Sequence, residues 1–129
     1  MTSIAVIDAN VILRYLLGDH PVHFPESRAF FEQVREGQQR AFLSEGVLVE
    51  CVYVLLKVYR VPRQQIADSL GDLLNYRGIL ADDVGMLGES LRVFSARNVD
   101  IVDAIVHVTA RHRGWTVFSF DNDLGKLDR

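Results

Sequence analysis

Cys51 is the only cysteine in the 129 residues, so the chain can form no intrachain disulfide. That excludes a small disulfide-framed secreted domain and fits a reducing, cytoplasmic compartment. An excess of positive charge is missing too. The net charge is −3, which leaves no global basic field of the kind a passive RNA- or DNA-binding module carries. No apolar run is long enough to span a bilayer, because the longest, VLVECVYVLLKVY (47–59), is broken by Glu50 and Lys57. A strand-like run begins almost at once, with no basic leader or cleavage site, so no signal peptide is expected. There is no glycine-rich phosphate loop after a strand and no G-x-S-x-G nucleophile elbow. His20, His23 and His112 show no ligand spacing, and a lone cysteine cannot complete a zinc site.

What is present is globular: 49% hydrophobic and 24% charged residues, with enough chain for one core, read as a single domain over 1–129. Residues 4–7 form a short apolar run ending at Asp8, the pattern of a buried strand. Asn10 is expected to cap a helix over 11–17 that Gly18 stops. Pro25 suits the first turn of a helix over 26–36. Residues 41–44 read as a second strand, and Ser44 as the cap of one long helix reaching Tyr59. Pro62 ends that segment, and a further helix follows from Arg63. Residues 78–81 give a weak third strand, 84–97 a helix behind Asp82 and Asp83, and 100–113 another helix stopped by Gly114. WTVFS (115–119) reads as the last strand, followed by the acidic loop FDNDLGKL.

Short apolar strands alternating with helices imply a parallel sheet with helices on both faces. The expected fold is α/β: a three-layer α/β/α sandwich around a mostly parallel, four- or five-stranded sheet. In such sheets the functional crevice lies beyond the carboxyl ends of the strands.

The acids fall at that edge. Asp8 ends the first strand and Asp121 follows the last. Either alone could be a turn former, since 17 residues are acidic. Glu50 lies at the border of an apolar stripe of Val47, Cys51, Val54, Leu55 and Val58, on a helix apolar nearly all round. It either snorkels at the rim and pairs with Lys57, or needs a metal or a shifted pKa. Asp100, Asp103 and His107 project from one side of their helix, which Arg111 continues. That side reads as a solvated, salt-bridged face or as a contributor to a site. An all-carboxylate cluster would select a hard divalent cation, which inverts the local charge and attracts phosphodiesters. Arg14, Lys57, Arg60 or Arg111 could then hold flanking phosphates.

These residues carry a family resemblance. VIDANVILRYLLGD resembles the opening of PIN-domain ribonucleases, especially the toxin halves of prokaryotic toxin–antitoxin pairs. FLSEGVLVECVYVLLKVYRVPRQQI is similar to the second acidic segment of that family, and DIVDAIVHVTARHRGWTVFSFDNDLGKL to its C-terminal segment. The resemblance runs from Ile4 to Leu127. It implies a metal site of Asp8, Glu50, Asp103 and Asp121 holding Mg²⁺ or Mn²⁺, with Asn10, Asp100, Ser119 and Asp123 as auxiliaries. It further implies a catalytic role for those four acids in hydrolysing RNA, a cognate antitoxin partner, a homodimer and no membrane. Ala9 and Ser119 stand where the family carries threonine. The alternative that this leaves open is a catalytically weak or inactive partner-binding scaffold.

Overall fold

The computed structural model describes residues 3–121 together with Leu124 and Leu127. Strand β1 (Ile4–Val6) leads into helix α1 (Ala9–Leu17), then α2 (His23–Glu36), β2 (Arg40–Phe42) and α3 (Glu45–Tyr53). A π-helical turn (Val54–Val58) continues α3. Helix α4 (Arg63–Leu74), β3 (Ile79–Leu80), α5 (Val84–Arg97) and α6 (Ile101–Arg113) complete the order. The strands form one parallel sheet in the order β1-β2-β3, with Ala5 opposite Ala41 and Ala41 opposite Ile79. Each crossover carries helices, as parallel pairing requires. The α/β architecture expected from the alternation of elements is the one observed.

The core is built from side chains that the sequence spaces onto inward faces. Ile12, Phe31, Leu48, Ile66, Leu70, Leu91, Phe94 and Ile101 are fully or almost fully buried. Gly78 is needed at the start of β3, because a Cβ there would meet the Gln39 carbonyl oxygen at 2.0 Å. Gly78 N–H donates to the Val34 carbonyl at 2.8 Å, so β3 is anchored to the end of α2 as well as to β2. No helix among the described residues is long and apolar enough to cross a membrane.

Several expectations are corrected. The sheet has three strands among the described residues, not four or five. Residues 115–119 are not a strand. Gly114, at φ +68°, turns the chain out of α6, and Trp115 N–H bonds back to the Ala110 carbonyl at 2.9 Å. Ser119 Oγ then accepts from Asp121 N–H at 2.9 Å, a local bond that competes with ladder pairing. The segment lines a cavity against α5 and α6 instead, and the outer edge of β1 is left with Val6 78% exposed.

The cap of α1 is Asp8 rather than Asn10: the helix starts at Ala9, and Val11 N–H donates to Asp8 Oδ1 at 3.0 Å. Helix α2 begins earlier than expected, at His23, because His20 Nδ1 accepts from the Val22 and His23 N–H groups and supplies the missing cap. The long helix from Ser44 does reach the neighbourhood of Tyr59, but its last turn widens, with Tyr59 N–H donating to Val54 O at 3.2 Å. Its inward stripe is Leu48, Cys51, Val52 and Leu55, while Val58 is exposed. His107 belongs to the core side of α6, only 5% exposed, and not to a solvated face with Arg111.

Candidate functional site

Helix α3 is the element along which the acids collect. At its middle, the Cys51 thiol is buried between α3 and α1, with Sγ donating to the Ala9 carbonyl at 3.9 Å. Burial pushes the thiol up to about 12, and the negative charges of Glu50 and Asp8 add to the same shift. A buried neutral thiol therefore feels the charge of Glu50, its chain neighbour, and of Asp8 from another segment. Its raised pKa makes it inert as a nucleophile at neutral pH.

Two residues further on, burial raises the Tyr53 hydroxyl to about 12, helped by its hydrogen bond to Asp100 and by the charges of Asp100 and Asp103. Tyr53 Oη donates to Asp100 Oδ1 at 2.8 Å. Asp100 Oδ1 also accepts from Val102 N–H at 2.8 Å and so caps α6. The α5–α6 junction that presents Asp100 and Asp103 is fastened by Arg63, whose Nη1 donates to the Phe94 and Val99 carbonyls at 2.9 and 2.7 Å.

Four carboxylates thus act on α3: the charges of Glu50, which the helix itself carries, and of Asp8 are felt at Cys51, and those of Asp100 and Asp103 at Tyr53. Asp8 is exposed, and its Oδ2 receives no hydrogen bond from the described residues, while Oδ1 is fixed by the cap. Glu50 is also exposed, and the pairing with Lys57 is not formed among the described residues. Asn10 is exposed beside Asp8 and lines a cavity of about 500 Å³ with Asp8, Arg14, His23 and Glu26.

Asp121 is exposed at the end of the 115–121 segment. Ser119 is spent on the local turn with Asp121. Asp123 lies outside the described residues. Among the described residues, no three acidic, histidine or cysteine side chains are close enough to share an ion. The donor chemistry still fits a hard cation, because Asp8, Glu50, Asp100 and Asp103 offer carboxylate oxygens and no competing soft ligand: Cys51 is held protonated.

Tyr53 is the site residue that the sequence reading missed. Its signal was available: it is the one hydroxyl on an otherwise aliphatic helix, at i+3 from Glu50 and hence on the same side.

Comparison with known proteins follows this geometry. A family model for the PIN domain matches residues 5–129. A VapC ribonuclease of Aquifex aeolicus (strain VF5) is 26% identical over 123 residues, covering 95% of this chain and 90% of that protein.

Proposed function

Because the chain belongs to the PIN domain family, we propose that it is a divalent-metal-dependent endoribonuclease, a cytoplasmic toxin neutralised by a cognate antitoxin. The observation that carries this reading is the collection of Asp8, Glu50, Asp100 and Asp103 along α3 from three separate chain segments. Asp8, Glu50 and Asp100 are exposed carboxylates whose charges act on one helix, an arrangement that a bound cation would neutralise.

Asp8, Asp103, Glu50 and Asp121 are the residues assigned to hold Mg²⁺ or Mn²⁺. Bound there, the cation supplies a nucleophile at neutral pH and neutralises charge at phosphorus. The chain's own contribution is orientation. The α1 cap fixes one oxygen of Asp8, a residue that also lines the cavity. Tyr53 and the α6 amide hold Asp100 still. Asn10 is placed to orient a group bound at Asp8.

One observation favours a second reading. Among the described residues no three acidic, histidine or cysteine side chains are close enough to share an ion, which suits a scaffold that binds partners without turnover. Incubating the purified, partner-free protein with tRNA and rRNA in Mg²⁺, Mn²⁺ or EDTA separates the two. The nuclease reading requires cleavage with either ion and none in EDTA; the scaffold reading requires intact RNA throughout.

The assembly assigned to the protein is a homodimer. Val58 is 68% and Tyr59 40% exposed at the end of the helix that carries Glu50, apolar surface beyond what the core covers. Light scattering should give twice the mass of the chain, and a monomer at high micromolar concentration contradicts the assignment.

A further inference from the structure

The cavity beside Asp8 holds one strong cation. Of the described residues that line it, Arg14 is the only arginine or lysine, and it shares the wall with Asp8 and Asn10 on α1. The side chain is largely enclosed, at 17% exposure. Its guanidinium is only partly used. Nη1 donates to Asp19 Oδ1 at 3.1 Å and Nη2 to Tyr59 Oη at 3.2 Å, while Nε is buried with no hydrogen-bond partner. A guanidinium is a planar fork suited to two parallel bonds with a phosphate or carboxylate. Asp19 takes one of them through one oxygen, and its own side chain is 47% exposed. It is a weak, replaceable anion.

Tyr59 belongs to the other side of the arrangement. It caps the π-helical turn that continues the Glu50-bearing helix. The Arg14–Tyr59 bond therefore links the last turn of α1, the helix that Asp8 caps, to the end of the helix that carries Glu50. Lys57, Arg60 and Arg111 are exposed and do not line this cavity.

We propose that Arg14 is a phosphate clamp for the RNA strand in the cavity that Asp8 also lines, and that Asp19 occupies the clamp in the RNA-free protein as an intramolecular stand-in anion. The inference rests on the ribonuclease reading and adds to it a positioning residue and a built-in competitor. On binding, a phosphodiester replaces Asp19 on the guanidinium while Tyr59 keeps the fork in place. No bond is made or broken in this exchange beyond the ion pair.

The test uses a fluorescent single-stranded RNA in EDTA, with the dissociation constant followed against KCl concentration, and cleavage kinetics in Mg²⁺. The proteins are wild type, Arg14→Ala, Arg14→Lys and Asp19→Asn. Loss of one phosphate contact to a single strand lowers the slope of log K against log salt by about 0.7. Arg14→Ala should show that smaller slope, about tenfold weaker binding and a raised KM with kcat little changed. Arg14→Lys should keep the slope and bind less tightly than wild type, because it retains the charge but not the fork. Asp19→Asn should bind several-fold more tightly than wild type. Should Arg14→Ala fail to fold, Arg14→Lys and Asp19→Asn decide alone. Unchanged affinity and KM in Asp19→Asn and the Arg14 variants, with a wild type that cleaves RNA, would overturn the clamp and leave the nuclease reading standing. A wild type that neither binds nor cleaves RNA would overturn both.

Discussion

Tyr53 Oη bonds both carboxylate oxygens of Asp100, at 2.8 and 3.1 Å, and so ties α3 to the first turn of α6. The two residues are 47 positions apart in the chain, and their bond ties Asp100 to the helix that carries Glu50.

That bond has a pH signature. The Tyr53 hydroxyl rises from 10.0 to about 12, mainly through burial and then through Asp100. A raised folded pKa means that the native state holds the proton more tightly than the unfolded chain. The stabilisation is complete below pH 10.0 and lost as pH rises through about 12. Tyr53→Phe should cost about 1 kcal/mol at neutral pH, since the acceptor is charged but exposed. Urea unfolding at several alkaline pH values should show wild type losing stability more steeply than Tyr53→Phe across that window. Parallel pH profiles would contradict the assignment.

Two glycines give opposite expectations. A Cβ on Gly78 would overlap the Gln39 carbonyl at 2.0 Å, so Gly78→Ala must displace β3 or the end of α2. The expected loss is about 3 kcal/mol, the upper part of the overpacking range. Gly71 lies inside α4, and a Cβ there meets nothing within 4 Å. Gly71→Ala should stabilise by about 0.5–1 kcal/mol through helix propensity. Denaturation midpoints of the two variants should move in opposite directions from wild type.

Cation binding should appear in stability before it appears in turnover. A cation that binds the native acids and not the unfolded chain stabilises the fold, so Mg²⁺ or Mn²⁺ should raise the melting temperature of the protein. At an ion concentration about a hundredfold above Kd the gain is ~2.7 kcal/mol. Asp103→Asn should shrink it. A wild-type melting curve indifferent to both ions, with no heat in a calorimetric titration, would remove the cation from the account.

Much of the fold could be read from local chemistry. Helix α5 begins and ends where Asp83 and Arg97 suggest, because its cap and its apolar spacing agree. Gly18, Gly37 and Gly114 stop their helices in the left-handed conformation expected of them. Other features were not local. Asp8 and Asn10 are equally good caps by type, and only the length of β1 decides between them. The π-helical turn at Val54–Val58 leaves the apolar composition unchanged, so no periodicity announces it. WTVFS alternates like a strand, yet its pairing depends on a partner edge that the pattern does not encode. His107 reads from the pattern as part of a solvated face, and its burial at the core side of α6 is set by tertiary packing. For the candidate site, the acid types, the strand-end position of Asp8 and the helical position of Glu50 were legible. The pairing of Tyr53 with Asp100 was set by tertiary placement.

The central claim is that Asp8 is a reactive-site carboxylate and not only a helix cap. Asp8→Asn separates the two roles, because asparagine caps a helix as well as aspartate and can still accept from Val11 N–H, while the charge is lost. The most direct measurement is RNA cleavage in Mg²⁺ by wild type and Asp8→Asn at equal folded concentration, with matching melting curves as the control. The account predicts cleavage by wild type and a loss of roughly two orders of magnitude or more in Asp8→Asn, the scale for removing one preorganised electrostatic element. Equal cleavage by both proteins would contradict it.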